Sequence, residues 1–181
     1  MRVKGIIGID GHDGAGKTTL AKLLSAHLQA SYIRPFGGIV GQNLMDAYEA
    51  GDHDRVLSVG ESAIYQAIEN ADLNHLIVLD RAWLTVGSLV PKSLFLARWS
   101  LWTPSILCWS DLSTTLARLS IRQNEETEKR EWHEHFLAVY FDLASKKNTQ
   151  ILRTDRADID TNFDSLLTIT HEILKEEGVL F

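Results

Sequence analysis

The residues with the clearest chemical potential lie near the start of the chain, where two glycines precede a lysine and a threonine. Gly11 and Gly16 bracket four residues and are followed by Lys17 and Thr18, which completes the pattern G-x-x-x-x-G-K-[ST]. The glycines let consecutive backbone N–H groups point inward at a polyphosphate, whose phosphate oxygens the lysine ammonium can bridge. The threonine hydroxyl is a ligand for Mg²⁺. The pattern therefore predicts a nucleoside triphosphate site with Mg²⁺.

The flanking sequence supplies the elements that such a loop needs. Residues 6–9 form a short apolar run typical of a buried strand, and residues 17–24 have helical spacing. The start of that helix adds unpaired N–H groups and a positive dipole end. This order of strand, loop and helix favours a phosphate site over a chance glycine-rich turn. The predicted nucleotide-binding residues of the loop are Gly11, His12, Asp13, Gly14, Ala15, Gly16, Lys17, Thr18 and Thr19.

Composition limits the classes of partner. The chain has 181 residues, the size of one domain (1–181), and its net charge of −6 argues against a nucleic-acid-binding surface. The most apolar segment, 93–109, contains Arg98 and Pro104 and is too short and interrupted to span a membrane. Cys108 is the single cysteine and cannot form an internal disulfide. With an N-terminus that leads directly into the first strand, these features predict a cytoplasmic protein without membrane or nucleic-acid partners.

Short apolar runs alternate with amphipathic helical segments along the chain. Parallel neighbouring strands need long crossovers, so this alternation predicts an α/β fold of the P-loop NTPase type, a three-layer sandwich with about five parallel strands between helices. Ligands of such sheets bind beyond the carboxyl ends of the strands, which places the loop, Arg34, Asp80 and Arg81 along one rim. The predicted strands are 6–9, 31–34, 75–80, 105–109 and 150–152, and the predicted helices include 17–24, 39–48, 56–70, 114–122, 132–145 and 163–175.

Several segments, taken in order, resemble motifs of the thymidylate kinases. The phosphate loop carries Asp13 where that family has an acidic residue, and residues 34–38 resemble its Arg-Glu-Pro-Gly-Gly segment. Asp80-Arg81 at a strand end is similar to its Asp-Arg motif, and residues 154–158 resemble its loop beside the adenine. The resemblance implies a P-loop kinase with ATP and Mg²⁺ as cofactors and a small helical lid at about 118–131.

Phosphoryl transfer requires positioning of two reactants and neutralisation of charge on the moving group. Arg118 and Arg122 are four residues apart, so on one helix face they could close over the phosphoryl group as a clamp. The alternative is a solvated helix face paired with acidic residues such as Glu125 and Glu126. Because the loop has Gly14 where some thymidylate kinases have an arginine, the resemblance favours a clamp supplied by the lid. The resulting catalytic set is Lys17, Arg81, Arg118, Arg122 and Asp13.

The resemblance also implies roles around the acceptor. Asp13 would accept a sugar hydroxyl, with a helix cap as the alternative, and Arg34 and Arg81 would hold the acceptor phosphate, with strand-end salt bridges as the alternative. Asp80 and Thr18 would hold Mg²⁺. Further acceptor contacts would fall on Phe36 and Gly37, and Arg156 would lie beside the adenine.

The residues available to recognise the acceptor base differ from those of the thymidylate kinase pattern. Residues 56–74 contain no arginine, and residues 82–89 contain no glutamine. Tyr65 and Gln66 could provide part of the recognition of the base. Thymine specificity is therefore not expected from the motifs.

Three hypotheses follow. The first is a nucleoside monophosphate kinase of nucleotide biosynthesis that uses ATP, with a small-molecule nucleotide acceptor. The second keeps the fold but changes the acceptor to a nucleoside or another small hydroxyl metabolite. The third is an NTP-binding regulator without catalysis, although the chain has no Asn-Lys-x-Asp segment.

Two other groups of residues carry no site in this interpretation. We expect His133 and His135 to lie on the protein surface rather than in a metal site, since helical residues two apart point to different sides. Tryptophans are mostly core residues, but exposed Trp99 and Trp102 would indicate a homodimer interface.

Overall fold

The computed structural model describes residues 5–72, 75–121 and 128–179. Its five strands are all parallel and form one sheet with the order β2-β3-β1-β4-β5. The strands are β1 (Ile6–Asp10), β2 (Ser31–Ile33), β3 (Ile77–Asp80), β4 (Ser105–Trp109) and β5 (Gln150–Arg153). The helices are α1 (Lys17–His27), α2 (Ile39–Glu49), α3 (His53–Glu69), α4 (Trp83–Gly87), α5 (Lys92–Arg98), α6 (Leu112–Ser120), α7 (Arg130–Lys146) and α8 (Ile159–Glu176).

Both faces of the sheet are covered, because successive strand residues point to opposite sides. On β3, Ile77 and Leu79 join one apolar core with residues of α2, α3, α4 and α7. Val78 between them joins a second core with Leu20 and Leu24 of α1 and with Leu166 of α8. Strands buried on both faces have continuous apolar sequences, which is why the runs are visible in the sequence. The predicted α/β three-layer sandwich with a five-stranded parallel sheet is confirmed.

The register of the sheet brings the carboxyl ends of three strands together. Asp80 of β3 is paired with Ile9 of β1, and Leu107 of β4 is paired with Asp10. The loop after β1, the turn after β3 and the turn after β4 therefore lie side by side. This is the rim that the sequence predicted for the ligand.

The helices of the structure differ from the predicted ones at several boundaries. The leucine- and tryptophan-rich region after β3 forms two short helices, since Pro91 lies at the N-cap of α5 and interrupts the segment. Helix α6 ends at Ser120, two residues before the predicted end. Residues 122–127 of the predicted lid, which include Arg122, lie outside the described residues. No helix within the described ranges has the length and hydropathy needed to cross a membrane.

Trp99 does not contribute to an exposed patch, because it is only 5% exposed. Trp102 is 37% exposed, and its ring lies 5.1 Å from that of Trp83 and 5.7 Å from that of Phe95. The ammonium of Lys147 lies 3.7 Å from the Trp102 ring centroid. Since these contacts are made within the chain, the tryptophans do not support the predicted homodimer, which stays a prediction.

Gly60 lies where α3 packs closely against α4. An ideal Cβ at Gly60 would lie 2.6 Å from a Val86 methyl carbon on α4. Alanine is intrinsically better in a helix by about 1 kcal/mol, but overpacking costs about 1–3 kcal/mol. We expect Gly60→Ala to lower the free energy of unfolding by about 1 kcal/mol or more, measured by urea denaturation. Ser62→Ala, at an exposed position of the same helix, is the matched control, and an unchanged or raised stability of Gly60→Ala would contradict the packing described.

Candidate active site

The loop between β1 and α1 has the backbone of an anion-binding turn. Gly11, Gly14 and Gly16 have φ angles of +153°, +79° and +81°, which favour glycine. A Cβ at Gly11 would lie 2.4 Å from the carbonyl oxygen of Cys108, so the loop also needs glycine for its close approach to β4. Cys108 itself is buried, and this burial raises the pKa of its thiol to about 12. It is a core residue, packed in the apolar cluster between the sheet and α1 and α8.

Several amides of the loop are available to a ligand. The N–H groups of Gly14, Gly16, Lys17 and Thr18 donate to no backbone carbonyl among the described residues. Gly16 is the N-cap of α1 and provides no side-chain cap. Because α1 starts here, these N–H groups lie at the positive end of its dipole. The arrangement fits a phosphate group.

The Lys17 side chain lies over this loop. Its Nζ donates to the carbonyl oxygen of His12 and lies close to Asp13 Oδ1, both at 3.3 Å. Lys17 is 6% exposed, and burial, aided by the nearby charge of Arg81, lowers the pKa of its ammonium to about 8. The cation therefore occupies a poorly solvated position in which an anionic ligand would stabilise it.

Asp13 forms an ion pair with Arg81 rather than a helix cap. The Arg81 Nη2 lies 2.5 Å from Asp13 Oδ1. Burial opposes ionisation of Asp13, but Lys17 and Arg81 outweigh it and hold the pKa of this carboxyl well below its usual range. The cap at the start of α1 was the alternative for Asp13, and the structure does not adopt it.

Arg81 is placed by a tight turn directly after β3. Its φ of +78° is unusual for a residue with a side chain. The turn is held by Asp10, whose fully buried carboxylate accepts hydrogen bonds from the amides of Ala82, Leu84 and Thr85 and from the Thr85 hydroxyl. Burial raises the pKa of Asp10, whereas these donors oppose the rise. The Arg81 guanidinium donates further to Gly11 O, Thr85 Oγ1 and the Tyr140 hydroxyl.

Asp80 has one carboxylate oxygen with partners and one without. Oδ2 accepts from the Tyr32 hydroxyl at 2.7 Å and lies 3.6 Å from Arg34 Nε. Oδ1 is buried and has no hydrogen-bond partner among the described residues. An unpaired buried carboxylate oxygen beside a phosphate loop suits Mg²⁺, which binds hard oxygen ligands and retains several waters. Thr18 is half-buried at the start of α1.

The Arg118 side chain is held by backbone carbonyl groups of two loops. Its guanidinium donates to the carbonyl oxygens of Gly14 at 3.1 Å and Thr154 at 2.7 Å. Thr154 in turn donates its hydroxyl to Ala15 O at 2.9 Å. Arg118 therefore joins the phosphate loop to the turn after β5, on the side where Arg156 lies exposed.

A cavity of about 610 Å³ opens beside the phosphate loop. Charged side chains line the end at the loop, namely those of Asp13 and Arg81. Apolar and aromatic side chains from α2, α6 and α7 line most of the rest, a composition typical of small-molecule sites. The other lining residues are His12, Phe36, Gly38, Gly41, Leu44, Met45, Thr85, Ser88, Leu89, Leu119, Glu128, Trp132, His133, Phe136 and Tyr140.

The predicted acceptor residues are only partly at this cavity. Phe36 lines it and Gly37 adjoins it in sequence, but Arg34 is outside the lining and its side chain is 59% exposed. Tyr65 is 55% exposed on α3, Gln66 next to it is also exposed, and the structure does not bring either residue to the cavity. The polar face of α3 points to solvent, which explains its polarity without a ligand. Thr19 is exposed on α1.

His133 is not the surface residue that the sequence predicted. It is 3% exposed, and its Nδ1 lies 2.8 Å from Nε2 of His12. His12 is also buried, and its ring lies 6.0 Å from that of Phe136 in a stacked arrangement. Burial lowers the pKa of His12 to about 4, and Lys17 and Arg81 contribute to the lowering. His135, two residues on, is exposed, so the two histidines do point to different sides.

Sequence reasoning missed four residues that shape the site: Asp10, Thr85, Tyr140 and His133. For Asp10 a signal existed, because a carboxylate directly before the first glycine of the loop ends a fully apolar strand. For Tyr140 and His133 the helical pattern showed which residues were apolar. It did not show that this face packs against the phosphate loop.

No protein-family model matches the chain, and no curated protein matches it by sequence. Solved structures are similar in fold. A thymidylate kinase from Candida albicans aligns over 97% of this chain and 92% of its own, with a TM-score of 0.68 and 16% identity.

A deoxyadenosine kinase from M. mycoides, solved with dCMP and dCDP, aligns over 92% of this chain and 99% of its own, with a TM-score of 0.66 and 17% identity. A thymidylate kinase from Ehrlichia chaffeensis has a TM-score of 0.61 and 13% identity, over 92% and 98% of the two chains. The chain therefore has the fold of the thymidylate kinase-like P-loop kinases.

Because His12 is buried, the free energy of unfolding is expected to depend on pH. Its pKa is about 4 in the folded protein and near its ordinary 6.5 in the unfolded chain, so below pH 6.5 the unfolded chain binds the extra proton. We expect the free energy of unfolding to fall by up to ~3 kcal/mol from this group as the pH falls from 6.5 to 4. Urea denaturation of His12→Gln, which cannot titrate, should show a smaller acid loss. His135→Gln is the exposed control on α7, and an equal acid loss in wild type and His12→Gln would contradict this assignment.

Proposed function

We propose that the protein is an ATP-dependent kinase that transfers the γ-phosphoryl group to a nucleoside monophosphate. One observation carries the proposal: the phosphate loop, with its free amides and the buried Lys17, adjoins a cavity of acceptor size across the Asp13–Arg81 pair. A phosphoryl donor and an acceptor could therefore meet at the cavity mouth. Positioning and charge neutralisation are what this reaction requires of a protein.

On the donor side, the available amides of the loop, those of Gly14, Gly16, Lys17 and Thr18, would hold the triphosphate tail of ATP. Lys17 would leave Asp13 and the His12 carbonyl to contact phosphate oxygens, whose negative charge would compensate the ammonium for the hydration that it loses on burial. The adenine would lie towards the turn after β5, where Arg118 and the exposed Arg156 are found. This direction is supported by the likeness of residues 154–158 to the adenine loop of thymidylate kinases.

Thr18 and Asp80 would hold Mg²⁺. The unpaired Oδ1 of Asp80 supports this assignment, as does its register opposite Ile9, directly before the loop. A bound Mg²⁺ would neutralise phosphate charge during the transfer. Tyr32 and Arg34 keep the other Asp80 oxygen in place.

On the acceptor side, Asp13 would accept a hydrogen bond from a sugar hydroxyl, and Arg81 with Arg34 would bind the acceptor phosphate. Arg81 already points at the cavity mouth because Asp10 fixes the turn behind it. The apolar walls would exclude water from the transferred group, whose hydrolysis would waste ATP. Arg118 and Arg122 would complete the clamp, which requires Arg118 to leave its contacts with Gly14 and Thr154.

A specific observation favours a second candidate, a kinase of a nucleoside or another neutral hydroxyl acceptor. Arg81 is the one lysine or arginine among the described lining residues, and it already pairs with Asp13. Glu128 adds a further negative charge to the lining. A phosphate dianion gains less from such a lining than from one with two free cations. Asp13 would then accept the proton of the attacking hydroxyl.

A panel of nucleoside monophosphates and nucleosides tests the proposal by ADP release with wild-type protein. We expect turnover with at least one monophosphate, and we expect Lys17→Met to lower kcat/KM by about 100-fold or more, because the charge on the transferred group loses its partner. Lys22→Met, at an exposed position on the same helix, is the control. Turnover of nucleosides alone would select the second candidate, and no turnover while ATP binds would reject both.

The phosphate of the acceptor can be tested in the same assay with Arg34→Gln. For a monophosphate acceptor we expect KM for the acceptor to rise about tenfold, because a charge-assisted contact is lost. KM for ATP should change much less, because the Tyr32 hydroxyl still holds Asp80 Oδ2. Arg55→Gln is the control, since Arg55 is exposed on α3. An unchanged acceptor KM in Arg34→Gln would remove Arg34 from the site.

A further inference from the structure

One ring nitrogen of His133 is buried without a hydrogen-bond partner in the part of the chain that the structure describes. Its Nδ1 is paired with His12, but Nε2 is buried and has no hydrogen-bond partner among the described residues. Leaving such an atom unpaired is costly, because it loses its hydrogen bonds to water on folding and gains none in return. Native structures contain few such atoms, and each needs a physical explanation.

The contact with His12 fixes what Nε2 can offer. His12 is neutral at pH 7, since its pKa is about 4. When His12 donates to Nδ1, a neutral His133 carries its proton on Nε2 and can donate to a ligand. When Nδ1 donates to His12 instead, Nε2 is a hydrogen-bond acceptor. In either case one nitrogen is held by the protein and the other is left for a partner.

The walls of the cavity indicate what that partner looks like. His133 lines the cavity together with Trp132 and Phe136, whose ring centroids lie 4.5 Å apart. Phe36 from the segment after β2 also lines it. Aromatic side chains favour stacking or edge contacts with a planar ring. The charged groups, Asp13 and Arg81, belong to the same cavity and suit the reacting end of the acceptor.

Helix α3, which carries the predicted acceptor residues Tyr65 and Gln66, does not line the cavity. Tyr65 and Gln66 of α3 are exposed, and the described lining includes no residue of α3. Recognition of the acceptor ring must then come from the residues that do line the cavity. Of the lining residues, His133 combines deep burial with a free nitrogen.

We propose that His133 is the residue that recognises the acceptor ring, by a hydrogen bond from its Nε2 to a polar atom of a planar heteroaromatic base. This inference rests on the proposed function and assigns a base-bearing acceptor to the cavity. His12 is the positioning residue: it holds the His133 imidazole through Nδ1. In this proposal the residue that recognises the acceptor base lies in the first turn of α7 rather than on α3.

Two substitutions test the roles of the two ring nitrogens of His133 separately. An asparagine amide can occupy the place of Nδ1 and keep the contact with His12, but it is too short to reach the place of Nε2. A glutamine amide can reach the place of Nε2. Binding of nucleosides and nucleoside monophosphates is measured calorimetrically in the presence of a non-hydrolysable ATP analogue, and thermal melts check folding.

We expect His133→Asn to weaken acceptor binding about tenfold and leave binding of the ATP analogue unchanged, while His133→Gln binds the acceptor within about threefold of wild type. A purely structural role predicts the reverse order, and that result would overturn the proposal. His135→Asn is the exposed control on the same helix. In wild-type protein labelled with ¹⁵N-histidine, acceptor binding should shift the Nε2 resonance of His133, and no shift would also overturn the proposal.

The binding measurements give different results if the role of His133 is wrong and if the proposed function is wrong. If wild type binds an acceptor and His133→Asn binds it equally well, the kinase proposal stands and the role of His133 falls. If wild type binds the ATP analogue but no member of the panel, the proposed acceptor class fails and the role of His133 fails with it.

Discussion

The ion pair between Asp13 and Arg81 joins the phosphate loop to the turn after β3, and the geometry of the site depends on it. Arg81 reaches Asp13 because the buried Asp10 carboxylate fixes the following turn through three amides and a hydroxyl. The pair is only partly buried, with side-chain exposures of 25% for Arg81 and 43% for Asp13, so removing either partner leaves the other with reduced hydration and no counter-charge. The two carboxylates therefore set the loop and the arginine in one rigid arrangement.

The same arrangement concentrates positive charge where a phosphate would bind. Lys17 and Arg81 lie on either side of Asp13, and burial depresses the pKa of Lys17 to about 8. An arriving polyphosphate would replace Asp13 as the partner of Lys17. Behind the loop, the aromatic face of α7 packs against His12, so the phosphate loop and the cavity share one wall. This shared wall connects binding of the two proposed substrates physically.

The sequence predicts the parts of this structure that depend on local patterns. The phosphate loop has a fixed spacing, and the five strands are apolar runs because both faces of the sheet are buried. Contacts between distant segments leave no such pattern. His12 and His133 are 121 residues apart, and nothing in either neighbourhood indicates that they meet. The family likeness suggests Tyr65 and Gln66 as acceptor residues, but the orientation of α3 turns them to solvent.

A preformed cradle for the triphosphate of ATP, in the loop after β1, is the premise of the proposed function. A crystal structure with a non-hydrolysable ATP analogue and Mg²⁺ tests it most directly. We predict phosphate oxygens about 3 Å from the available amides of the loop, with the Lys17 ammonium moved from Asp13 onto the phosphates. An analogue bound elsewhere, with Lys17 still in contact with Asp13 and the His12 carbonyl, would contradict it.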